Sequence, residues 1–133
     1  MKLKSDKTGV TPTKGNPHFD LDLKFGQEQE NELQKIFNSQ KIEVKTDRVC
    51  KRTGNLYVEY QSRGKDSGIK NTKADYWVFC LWTEDKKKYS WIIIPTIKLK
   101  RLIRKNKYRS VTGGDNNTSW GWLVPKEDLL QFV

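Results

Sequence analysis

Two runs of alternating residues constrain this chain more than any other feature. In Lys41-Ile42-Glu43-Val44-Lys45-Thr46-Asp47, an extended backbone puts Ile42, Val44 and Thr46 on one side and Glu43, Lys45 and Asp47 on the other. In Leu56-Tyr57-Val58-Glu59-Tyr60-Gln61, Leu56, Val58 and Tyr60 oppose Tyr57, Glu59 and Gln61. Both runs predict strands with one apolar and one charged face. Between them, Arg52-Thr53-Gly54 has the make-up of a hairpin loop with Gly54 in the left-handed position. That register predicts one hairpin in which Asp47 stands opposite Glu59. Like charges so placed destabilise a sheet and call for compensation. A divalent cation such as magnesium, which takes carboxylate oxygens and waters, would supply it. A solvated sheet face with Lys45 as counter-charge would also supply it.

Length and charge narrow the rest. A chain of 133 residues suits one domain with a modest core, and it contains no internal repeat. Its 26 Lys and Arg against 16 Asp and Glu leave a formal charge of +10, which favours a polyanionic partner because each neutralised phosphate releases condensed counterions. Five Trp and five Tyr supply rings that can stack on bases, although most such rings build cores, and Trp77 and Trp91 are expected to do so. Cys50, Cys80 and the lone His18 offer neither a four-ligand zinc site nor a Cys-His or Ser-His-Asp constellation, and point to a reducing compartment. No phosphate-binding loop is present; Gly113-Gly114-Asp115 is turn chemistry. No signal peptide or apolar span of bilayer length appears, so a soluble protein of the cytoplasm without a membrane partner is expected.

Along the chain, residues 1–18 form a polar, basic segment expected to be a flexible tail ahead of a domain over 19–133. A helix is expected over Phe25 to Asn38, with Leu33, Ile36 and Phe37 as its apolar stripe and Glu30 turned the same way. Glu30 also suits the first turn of a helix simply through the helix dipole. Ser62 to Asn71 is a polar loop leading to a short helix. Ala74–Leu81 and Tyr89–Ile94 predict strands, the second central because it is almost wholly apolar. Thr96 opens a helix with Leu99, Leu102 and Ile103 on one stripe and Lys98, Lys100, Arg101, Arg104 and Lys105 around the remainder. A hairpin joins Tyr108–Thr112 to Ser119–Val124, and Pro125 to Phe132 closes with a short helix.

The order of an acidic helix, a strand ending in Asp and a strand carrying Glu-x-Gln resembles the PD-(D/E)XK nuclease superfamily, here on Glu30, Asp47 and Glu59-Tyr60-Gln61, over roughly Phe19 to Trp82. Thr53 to Tyr60, Ser67-Gly68-Ile69 and Thr72 to Tyr76 are similar to small phage and bacterial nuclease-like proteins. Gln61 stands where the family usually has Lys.

The resemblance implies an α/β class with a single restriction-endonuclease-like domain, its mixed central sheet flanked by helices. It also implies a magnesium- or manganese-dependent deoxyribonuclease acting on duplex or branched DNA, with homodimers common and a host-cell cytoplasm as its place if phage-encoded. Asp47 and Glu59 would hold the metal with Glu30, Gln61 would orient the attacking water, and Lys45 or Lys65 would offset developing charge. Lys98, Lys100, Arg101, Arg104 and Lys105 would contact phosphates. The alternative is a non-catalytic nucleic-acid-binding module on the same fold.

Overall fold

The computed structural model describes residues 17–47, 49–82 and 87–130. The chain divides into two compact units, 1–40 and 41–133. The first is described by helix α1, Pro17–Ser39. It starts well before the expected Phe25, and Pro17 suits that start because its fixed φ is helical and its missing N–H would have had no helical partner. Asp20 in the first turn meets the positive end of the helix dipole. The tail expected over 1–18 otherwise lies outside the described residues, with Pro17 and His18 belonging to α1.

The second unit contains β1 (Ile42–Asp47), the single helical turn α2 (Cys50–Thr53), β2 (Asn55–Ser62) and β3 (Lys65–Asp66), followed by a 3-10 turn at Gly68–Lys70. β4 (Tyr76–Trp82), β5 (Lys88–Pro95) and α3 (Thr96–Lys105) come next, then β6 (Ser110–Gly113), β7 (Ser119–Pro125) and a 3-10 segment at Lys126–Leu130. The fold is mixed α/β. Among the described residues the strands form two sheets: a three-stranded sheet in the order β1-β4-β5 and a four-stranded sheet in the order β3-β2-β7-β6. β1 runs parallel to β4, and the other pairings are antiparallel.

The hairpin expected from Lys41–Asp47 and Leu56–Gln61 therefore does not form. β1 and β2 belong to different sheets, Asp47 stands beside Leu81, and Glu59 stands beside Gly121. Separating the strands removes the like-charge pairing that the hairpin would have imposed. The intervening residues wind into α2 instead of a hairpin loop. Gly54 is left-handed, at φ 74°, but it ends that turn, its N–H donating to the Cys50 carbonyl at 2.7 Å.

The inner faces of both sheets share one core. Trp77, Phe79 and Leu81 of β4 and Ile94 of β5 meet Leu56 and Val58 of β2, Val124 of β7, and Leu99 and Leu102 of α3. β5 is an edge strand, contrary to the expectation from its apolar run. Ile92 and Ile94 share the register of Phe79 and Trp77, whereas Trp91 and Ile93 share that of Cys80 and Val78, on the opposite face. Trp91 is consequently 47 % exposed, while Trp77 is fully buried.

β1 also departs from its simplest reading, because its charged side shares the register of the core-facing β4 residues. Glu43, Lys45 and Asp47 lie beside Trp77, Phe79 and Leu81. Each polar group in that row has a partner. Lys45 pairs with Glu43 at 2.8 Å and lies 5.4 Å from the Trp77 ring centroid. Thr72 donates to Glu43 at 3.0 Å and accepts from the Trp77 indole at 3.3 Å.

The expected β6–β7 hairpin and α3 form as anticipated. The polar loop after β2 contributes β3 and the Gly68–Lys70 turn. Gly68 has a positive φ of 53°, and a Cβ there would run into the Glu59 carbonyl oxygen. Gly64 also has a positive φ, 79°, but nothing lies within 4 Å of its missing Cβ. Gly68→Ala should therefore lower stability by roughly 2–4 kcal/mol, and Gly64→Ala by only about 1–2 kcal/mol. Equal urea midpoints for the two variants would contradict a tight contact between this turn and β2.

Candidate functional site

Asp47 ends β1 and is, among the described residues, the one buried charged residue, at 9 % exposure. Its Oδ1 accepts the backbone N–H groups of Val49, at 2.9 Å, and Cys50, at 2.7 Å. The carboxylate thus caps α2, satisfying donors that a helix start leaves open. Burial, and next the neighbouring Asp47 charge, push the Cys50 thiol up, so this buried cysteine stays a neutral thiol.

Glu59 and Gln61, expected on one face of β2, do not share it. The register of β2 against β7 shifts between them, pairing Glu59 with Gly121 and Gln61 with Trp120. Consecutive residues of β7 point to opposite faces, so this bulge leaves Glu59 on the face of Tyr57 and turns Gln61 toward that of Trp120. Glu59 Oε2 accepts the Ser67 hydroxyl at 2.9 Å. Lys45 is engaged with Glu43, Lys65 is exposed on β3, and Glu30 lies in α1 of the first unit.

Asp47 and Glu59 are therefore carboxylates on strands of separate sheets, each engaged through one oxygen. Among the described residues, no group of three or more His, Cys, Asp or Glu converges as metal ligands would. Within the described part of the second unit, no third acid, His or Cys joins Asp47 and Glu59 to complete the metal shell that the resemblance implies.

A different constellation does assemble. α3 exposes Lys100, Arg101, Arg104 and Lys105 while burying Leu99 and Leu102; Lys98 is half-buried. Ile97, Lys100 and Arg104 follow the helical spacing of three and four residues and form one stripe. That stripe walls a groove of about 400 Å³ together with Ile103, Ile69 and Lys70 of the 3-10 turn, and Trp122 of β7.

Trp122 stacks on Tyr60, with ring centroids 4.1 Å apart and planes inclined by 26°. The Lys70 ammonium lies 4.8 Å from the Tyr60 centroid and 5.7 Å from that of Trp122. Tyr60 Oη and Ser110 Oγ share a hydrogen bond of 2.7 Å that holds the ring. The groove residues thus combine apolar side chains, an aromatic stack and three cations, and none of those lining it is acidic.

Sequence reasoning singled out the α3 cations but missed Lys70, Tyr60 and Trp122 as one cluster. The abundance of aromatic residues hinted at it, but the pairing of β2 with β7 that brings Trp122 beside Tyr60 has no local signature. Comparison with known protein families, curated proteins and solved structures finds no match for this chain. No helix among the described residues is long and apolar enough to cross a membrane.

The capping role of Asp47 has a measurable consequence. Asp47→Ala should destabilise the protein by about 1–2 kcal/mol, and Asp47→Asn by less, because the amide oxygen still accepts the two N–H groups. Urea unfolding checks this order, and wild-type stability in Asp47→Ala would show that the cap contributes nothing.

Proposed function

We propose that this chain binds nucleic acid, with the exposed face of α3 and Lys70 as its phosphate-contacting surface. The observation that carries the reading is the clustering of Lys100, Arg101, Arg104 and Lys105 on one helix facing solvent, in a chain of formal charge +10. Such side chains attract the backbone of either a duplex or a single strand, and binding gains chiefly from counterion release. DNA is the partner implied by the nuclease resemblance.

A second reading adds hydrolysis of the bound strand. It rests on the order Glu30, Asp47, Glu59-x-Gln61 and on the place of Asp47 at the carboxyl end of a strand in a parallel pair, where α/β sheets commonly put ligand sites. Magnesium- or manganese-dependent cutting of supercoiled, linear or branched DNA that is lost in Glu59→Gln would support it. Absence of cutting across those substrates would leave the binding module.

Affinity for a short DNA should fall steeply with salt. In Lys100→Ala/Arg104→Ala, the slope of log affinity against log salt should become shallower by about 2, one unit for each phosphate contact removed. Anisotropy titrations at several salt concentrations measure it. A flat dependence in the wild type would remove the nucleic-acid reading.

A further inference from the structure

We infer that the groove between α3, the Gly68–Lys70 turn and β7 receives one unpaired base of a nucleic-acid strand, making the protein a binder of single-stranded or locally opened nucleic acid. The inference rests on the nucleic-acid reading and deepens it. Phosphate contacts alone require only exposed cations, yet this groove offers more. Its lining includes Ile69, Ile97, Ile103 and the Trp122 ring, surfaces that gain nothing from a phosphate and much from a flat apolar body.

Its volume of about 400 Å³ lies toward the small end of ligand pockets, which span about 300–1,000 Å³. The cations come from both elements beside the apolar lining: Lys70 from the turn, Lys100 and Arg104 from α3. A ligand that answers this pattern has a ring system flanked by negative charge, as a nucleotide within a strand has.

A paired duplex does not present that shape. Its bases are stacked and expose only their edges in the grooves, whereas unpaired bases offer a face to an aromatic side chain. Ile97, 66 % exposed, presents apolar surface at the groove, and Tyr60 backs Trp122 so that the indole is held in place. Lys70 lies over the same two rings, placing a positive charge beside the site a base would occupy.

The test compares three fluorescent probes by anisotropy, in DNA and RNA versions: a short single strand, the same strand carrying abasic sites in place of its bases, and the blunt duplex. The base-bearing single strand should bind about 5- to 150-fold more tightly than the abasic strand, the range expected for stacking one base. It should also bind more tightly than the duplex.

Trp122→Ala should abolish the difference between base-bearing and abasic strands while both are still bound. Because Trp122 also packs against the core, Ile97→Ser, at an exposed position, provides a second variant that should shrink the same difference without loss of folding. Equal affinity for base-bearing and abasic strands, a preference for duplex, or an undiminished difference in folded Trp122→Ala or Ile97→Ser would overturn the base site and leave phosphate binding standing. Failure to bind all three probes at low salt would overturn the nucleic-acid reading itself.

Discussion

The fold depends on burying Trp77 and Phe79. Both side chains are fully or almost fully removed from solvent, and they belong to β4, the central strand of the three-stranded sheet. They are covered by the inner face of the other sheet, through Leu56, Val58 and Val124, and by Leu99 and Leu102 of α3. Each large apolar side chain so buried contributes about 1.5–3 kcal/mol, more than any single surface contact here can. This packing fixes which face of α3 is buried, and thereby which face carries Lys100, Arg101, Arg104 and Lys105 outward. The basic surface is a consequence of the core.

The same packing explains the charged row on β1. Parallel pairing with β4 satisfies main-chain polar groups in a ladder, but it also brings Glu43, Lys45 and Asp47 alongside the core-facing Trp77, Phe79 and Leu81. Isolated charges there would be costly; paired and hydrogen-bonded ones are tolerated. Lys45 and Glu43 neutralise one another, Thr72 ties Glu43 to the Trp77 indole, and Asp47 is satisfied by the start of α2.

What the sequence revealed follows from which signals are local. The α3 stripe of Leu99, Leu102 and Ile103, and the Gly113-Gly114 turn chemistry between β6 and β7, each sit within one element, and those elements form as expected. Strand existence was equally legible for β1, β2, β4 and β5. Strand partnership was not. Alternation in Lys41–Asp47 and Leu56–Gln61 states which residues share a face, but not which strand lies alongside, and a nearby hairpin partner lost to a parallel partner more than thirty residues away. The bulge after Glu59 is likewise a two-strand property, since it exists only relative to β7.

That bulge ties fold to site. Strict alternation would have kept Glu59 and Gln61 together on the face of Tyr57, as a metal-binding motif on one strand requires. The register shift instead turns Gln61 to the face of Trp120, the face on which Tyr60 stacks against Trp122 beside Lys70. The irregularity thus separates two acid-motif positions, while the aromatic stack follows from plain alternation, because Val58 pairs with Trp122 and Tyr60 shares the face of Val58. An acid's position in sequence therefore says less about its chemistry here than its strand partner does. Asp47 and Glu59 are read most directly from the atoms they engage, a helix start and the Ser67 hydroxyl, which hold the corner after β1 and the turn that presents Lys70. Of the two, Glu59 bears on the basic groove, through the Ser67 turn next to Ile69 and Lys70.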